Sequence, residues 1–224
     1  MRIGFVLFDH VTQLDAMGPL QFLSRLPDVD AVTVAKTREP VSTDCPVSLV
    51  PTHGFSDIGS LDMVCVPGGF GVRDVLNDGE FMRWLSEACA GAEYVTSVCT
   101  GALLLGGAGL LRGKRATTHW AYTDLLKTCG AIYQPGRTVR DGNLFTGGGV
   151  TAGIDFALTI ARDLHGEDVA QRLQLGLEYD PAPPVNAGSP RSAPSQTLAS
   201  LKRFYRQPVA KTRAALERQL ETLP

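Results

Sequence analysis

Residues 93–111 read EYVTSVCTGALLLGGAGLL. The β-branched run YVTSV at 94–98 predicts a strand, and the apolar run after Gly101 predicts a helix. Cys99 and Thr100 lie between them, where the chain must turn sharply. Outward from this stretch the same alternation repeats. IGFVLF at 3–8, AVTVAK at 31–36 and DMVCVPGG at 62–69 predict strands buried on both faces. GPLQFLSRL at 18–26 and EFMRWLSEACAG at 80–91 predict helices, the second stopping at Gly91. SLVPTHGF at 48–55 predicts part of a small hairpin.

Beyond residue 111, KRATTHW at 114–120 predicts a short strand and AYTDLLKTC a helix running to Gly130. Asp141-Gly142 between β-prone residues predicts a hairpin over 138–148. Helices are expected over 151–166, from a Thr cap, and over 167–179. The Pro-rich stretch 180–195 holds no regular element, and a tail helix follows it. Strands alternating with helices imply an α/β fold: a doubly wound, mostly parallel sheet covered on both faces, followed by a C-terminal helical tail. The expected organisation is a catalytic domain over 1–195 and a helical extension over 196–224. Such sheets bind ligands at the carboxyl ends of their strands. DHVTQLDAMGP, PGGFG and SVCTG all fall there.

The chain has 224 residues, 44% hydrophobic and 20% charged, with a net charge of −2. That balance argues against nucleic acid, whose phosphates need a concentrated basic face. The locally basic tail reads as an amphipathic helix with a solvated face. No apolar run is long enough to span a bilayer, and the N-terminal run is too short for a signal peptide. Five cysteines without regular spacing suggest no disulfide framework, and the four histidines are scattered, so no metal site is expected. The reducing cytoplasm is the expected compartment.

A cysteine at a strand-to-helix turn is placed like the nucleophile of a nucleophile elbow. Backbone N–H groups at the helix start favour its thiolate, and the PGG turn at 67–69 offers donors for an anion forming on the substrate. Cys99 is the candidate; on these residues alone it also fits a buried cysteine that only packs. Cys65 and Cys89 read as packing residues, and Cys45 and Cys129 lie in loop or helix-end settings. Asp15 on its own residues reads as an N-cap before AMGPL. Gly147, Gly149 and Ala152 satisfy G-x-G-x-x-A, but behind a late hairpin instead of a first strand. Close packing of the following helix is the expected use of those glycines.

QLDAMGP, VPGGFGV, YVTSVCTGALLLGGAGLLRGKRATTHW, RDGNLFTGGGVTAGIDFAL and LEYDPAPPVNAGSP together resemble the isocyanide hydratases, over residues 2–190 in order. These belong to a superfamily of flavodoxin-like folds that includes intracellular cysteine proteases, deglycase-like proteins and amidotransferase-related domains. The resemblance implies a homodimer with no metal or organic cofactor, adding water to an isocyanide to give an N-substituted formamide. It implies that Cys99 is the nucleophile, Asp15 its acidic partner and proton shuttle, and Thr100 a neighbour of the substrate. The backbone of Gly69 and Phe70 resembles the anion-holding turn, and His119 in TTHW is a candidate for the same site or a packed histidine. Where the proteases follow the nucleophile with histidine, this chain has Thr100, which makes peptide hydrolysis less favoured. The elbow also resembles the ligand-sensing domains of certain transcription regulators. A free-standing ligand- or redox-sensing protein with an oxidisable Cys99 is therefore the alternative. About thirty residues follow the Pro-rich loop, too few for the two DNA-reading units of such regulators.

Overall fold

The computed structural model describes residues 1–223. Its strands are β1 (Arg2–Val6), β2 (Asp30–Ala35), β3 (Val41–Ser42), β4 (Ser48–Leu49), β5 (His53–Gly54), β6 (Met63–Val66), β7 (Tyr94–Val98), β8 (Arg115–Ala116), β9 (Ile132–Tyr133), β10 (Thr138–Asp141) and β11 (Leu144–Gly147). The α-helices are α1 (Gln13–Leu23), α2 (Val72–Val75), α3 (Gly79–Gly91), α4 (Gly101–Gly107), α5 (Thr123–Thr128), α6 (Ala152–His165), α7 (Glu167–Gly176) and α8 (Ser195–Leu220).

Seven strands form one sheet in the order β10-β11-β7-β6-β1-β2-β5, parallel throughout except for the β10–β11 hairpin. Its five middle strands, renumbered along the chain, run 2-1-3-4-5, the flavodoxin-like order. The alternation within each strand explains the double burial. Ile3, Phe5, Met63 and Cys65 face α1, α6 and α7, where Phe156 and Ile160 pack. Val6, Val64 and Val66 face the opposite layer, with Leu85, Leu103 and Leu125 from α3, α4 and α5. Ala215 and Leu216 of α8 lie in that second layer, fully buried. The tail helix is therefore docked on the core by one apolar face.

Several local expectations change. Helix α1 begins at Gln13, not near residue 18, and carries Pro19 inside it. Proline there removes one backbone hydrogen bond, but tertiary packing outweighs the loss: the Pro19 ring lies against Gly153 of α6, where a Cβ would come within 3.2 Å of it. The small hairpin pairs β4 with β3, and β5 instead extends the main sheet parallel to β2. Helix α4 stops at Gly107 because Gly106 and Gly107 cost helix stability and the chain turns at Gly109, φ +78°. The 138–148 hairpin forms as expected, Asp141 opposite Leu144 with Gly142 at φ +65° in the turn. Thr151 stands at the start of α6, but its side chain makes no capping hydrogen bond.

Candidate active site

In the 2-1-3-4-5 order the strand sequence reverses between β1 and β6, and ligands bind in the crevice at such a switch point. The loop after β1 leads to Asp15, the loop after β6 carries Gly68 and Gly69, and β7 ends at Cys99. The three sequence-predicted segments meet there.

Cys99 has φ +56°, a left-handed conformation that non-glycine residues rarely adopt. Its backbone is held from both sides. The Cys99 amide donates to the Gly148 carbonyl at 2.8 Å and to that of Gly147 at 3.1 Å, and its carbonyl accepts the Thr118 hydroxyl at 2.7 Å. Close approach of the preceding loop closes the elbow, since a Cβ on Gly101 would lie 2.1 Å from the Val66 carbonyl oxygen. The amides of Thr100 and Val150 point at the sulfur.

Asp15 is fully buried in the first turn of α1. Its carboxyl does not cap that helix. Oδ2 accepts the Gly68 amide at 2.9 Å, from a residue 53 positions away. The carboxyl also interacts with the Cys99 thiol, and its other oxygen, Oδ1, has no hydrogen-bond partner of good geometry among the described residues. Burial raises the Asp15 pKa to about 7, against the opposing pull of the Gly68 amide and the thiol.

The expected thiolate at neutral pH is not what the surroundings favour. Burial raises the Cys99 thiol well above its ordinary value, and the charge of Asp15 raises it further, outweighing the two amides. Cys65, Cys89 and Cys129 are also buried with thiols pushed to about 12. What singles out Cys99 is the strained turn and the facing carboxyl. The two groups form one coupled unit, in which a thiol beside a carboxylate and a thiolate beside a carboxylic acid are the same protonation level.

Thr100 holds the turn beneath this pair. Its hydroxyl accepts the Gly69 amide at 3.0 Å. Without substrate, that bond occupies the Gly69 amide. The Phe70 side chain points outward and packs edge-on to Phe204 with centroids 6.4 Å apart. The amides aimed at the sulfur itself belong to Thr100 and Val150.

His119 is 8% exposed and neutral at ordinary pH, burial lowering its pKa to about 4. Its Nδ1 accepts the Ala121 amide at 3.3 Å, which leaves the proton on Nε2. The ring lies over Gly149, where a Cβ would come 2.7 Å from Cδ2. His119 thus belongs to a cavity of about 1190 Å³ whose wall also includes Thr118, Gly149, Val150, Trp120 and Tyr205. The Tyr205 ring, from α8, stands 5.1 Å from the His119 ring and 5.5 Å from that of Trp120. Burial raises the Tyr205 phenol above its ordinary value, and charge on Cys99 raises it further. No local signal in the sequence marks Tyr205, which is brought to the site only by the docking of the tail. Gly68 and Val150 were legible only as members of PGG and GGGV.

The DJ-1/PfpI family model matches residues 1–163. The chain belongs to the DJ-1/PfpI family. Within it, the isonitrile hydratase of Pseudomonas putida is 56% identical over 198 residues, 88% of this chain and 87% of that protein. The Parkinson disease protein 7 homolog of Danio rerio is 30% identical over 190 residues, covering 79% of this chain and 96% of its own. Among solved structures, a ThiJ/PfpI family protein from Pseudomonas syringae superposes with a TM-score of 0.93 at 37% identity, over 96% of this chain and 90% of that one. That match includes the region of α8, which lies beyond the part covered by the family model. Among the described residues no three His, Cys, Asp or Glu side chains gather as a metal site, and no helix is long and apolar enough to cross a membrane.

Proposed function

We propose that this protein is an isocyanide hydratase, a lyase that adds water to R–N≡C to give R–NH–CHO. The observation that carries the reading is the pairing of the Cys99 thiol with one buried carboxyl, Asp15, that titrates near neutrality. Similarity to an isonitrile hydratase over most of both chains supports the substrate.

The terminal carbon of an isocyanide accepts both a nucleophile and a proton. With one proton shared between them, Cys99 and Asp15 supply both. The sulfur adds to the carbon as its proton passes to the carboxylate, and the carboxylic acid delivers that proton to the same carbon. The product is a thioimidate, R–N=CH–S–Cys99, beside an ionised Asp15. Water then attacks this carbon, losing a proton to Asp15, which passes it to nitrogen. The tetrahedral adduct R–NH–CH(OH)–S–Cys99 collapses by breaking the C–S bond. Its hydroxyl proton returns to the Cys99–Asp15 pair and the formamide leaves. One carboxyl acting as acid and then base needs a pKa near the working pH, and burial supplies it.

Thr100 holds the 67–69 turn that positions Asp15, and the Thr100 and Val150 amides stabilise negative charge on sulfur. The aromatic wall of Trp120, Tyr205 and neutral His119 suits an apolar substituent R, with His119 Nε2–H free to donate. The four buried, unbridged cysteines fit a reducing cytoplasm, and a homodimer is the expected assembly. The reading is tested by following formamide production from 4-nitrophenyl isocyanide. Catalytic turnover that Cys99→Ala abolishes is expected; a single stoichiometric modification of Cys99 would instead make the protein a sensor.

A further inference from the structure

The hydratase reading leaves most of the 1190 Å³ cavity unexplained: Cys99 and Asp15 do not line it, and it adjoins them through Thr118, whose hydroxyl donates to the Cys99 carbonyl, and Val150, whose amide points at the sulfur. An isocyano group and one ring occupy far less than about 1190 Å³. The outer wall of that cavity is built by the Pro-rich loop and α8, through Arg191, Lys202, Arg203 and Arg206, with Asp124 as the one acidic residue lining it. None of these four cations forms an ion pair among the described residues, whereas Arg137, also on the wall, is held by Asp155. The segregation is a property of the chain. Between Asp180 and Glu217 there is no acidic residue and there are six basic ones, in a protein whose net charge is −2. Lys202 and Arg206 stand one helical turn apart on α8, with Arg203 beside them, so one face of the helix carries three positive charges. That face also bears Tyr205, whose ring reaches the His119 end of the cavity.

We infer that the basic outer wall selects isocyanides carrying an anionic group, a carboxylate at the end of R remote from the isocyano carbon. This rests on the hydratase reading and sharpens it. The apolar part of such a substrate lies against Trp120 and Tyr205 while its carboxylate meets the cations at the cavity mouth. A concave wall of one sign also raises the local concentration of an oppositely charged substrate.

The test compares 4-isocyanobenzoate with its methyl ester, which presents the same ring without the charge. The expected result is a kcat/KM ratio favouring the carboxylate by on the order of tenfold at low salt, the sum of several weak exposed contacts. Most of it should be lost at about 0.5 M salt, where the screening length falls to a few ångströms. Arg203→Gln with Arg206→Gln lowers the ratio, while Arg172→Gln, which removes an exposed charge from α7 away from the cavity, leaves it unchanged. Both Arg203 and Arg206 are exposed, so their loss spares the core. A wild-type ratio of one or less, or one that the double substitution does not move, overturns the inference while turnover of the ester keeps the hydratase reading. Hydration of neither compound overturns both.

Discussion

The Gly68 amide donates to Oδ2 of Asp15 at 2.9 Å, and a Cβ on Gly68 would lie 3.0 Å from that same oxygen. It would also meet Thr100 Oγ1 at 2.4 Å and the Thr100 amide nitrogen at 2.5 Å. Only glycine lets the loop after β6 reach the carboxyl and the elbow together. Gly68→Ala should therefore cost about 1–3 kcal/mol of stability, the usual range for overpacking. It should also lower kcat by at least roughly tenfold, since small displacements of reacting groups are expensive. Chemical denaturation and steady-state kinetics on the same sample check both; unchanged kcat would show that the Gly68–Asp15 contact does not position the acid.

Asp15 carries a charge in a place that resists it. Its pKa is raised to about 7 in the fold against an ordinary 3.8 in the unfolded chain, so the folded state binds the proton more tightly. The stabilisation from that bound proton is fully present below the unfolded value and is lost as the pH rises through about 7. Asp15→Asn, neutral at every pH, should be more stable than the parent at pH 8, by up to about 4 kcal/mol. The gain should fade toward pH 4. Paired melting curves at the two pH values give the sign directly. The same substitution should abolish turnover, because amide nitrogen cannot shuttle the proton.

The pH profile follows from the pair's protonation level. Productive addition needs one proton shared by Cys99 and Asp15, so kcat/KM should rise with pH through about 7 and hold a plateau above it, the thiol being raised well above its usual range. His119, with its pKa near 4, adds no step between pH 6 and 8. A profile that falls as the pH rises through 7 would contradict the assignment of Asp15 as the titrating group.

Tyr205 tests whether the tail helix is part of the site. Tyr205→Ala removes a ring standing 5.1 Å from His119 and 5.5 Å from Trp120. KM for aryl isocyanides should rise about three- to tenfold, as expected for losing one aromatic contact, with kcat changed little. Tyr205→Phe keeps the ring and should restore KM. Equal losses in both variants would point to the hydroxyl instead.

The legible part of this protein is the part written in local pattern. Apolar, β-branched runs mark β1, β2, β6 and β7, and the interruption of YVTSV by Cys99, Thr100 and Gly101 marks the elbow. Helix α1 begins at Gln13, five residues before GPLQFLSRL suggests, because locally Pro19 suits a first helical turn and nothing local records that α6 packs against it. For Asp15 the local reading was a helix cap, and the resemblance alone implied a catalytic role. The structure shows why the cap is not made: the carboxyl spends its bond on Gly68.

From its sequence alone the chain determined a doubly wound sheet and a cysteine at the end of its fourth long parallel strand, because strand and helix periodicity is a property of neighbouring residues. Tertiary structure alone decided that the cysteine is shielded and that Asp15 titrates near neutrality. It also decided that residues from α8 wall the cavity. Desolvation and facing charge depend on what the rest of the fold brings alongside, across separations such as the 53 residues between Asp15 and Gly68.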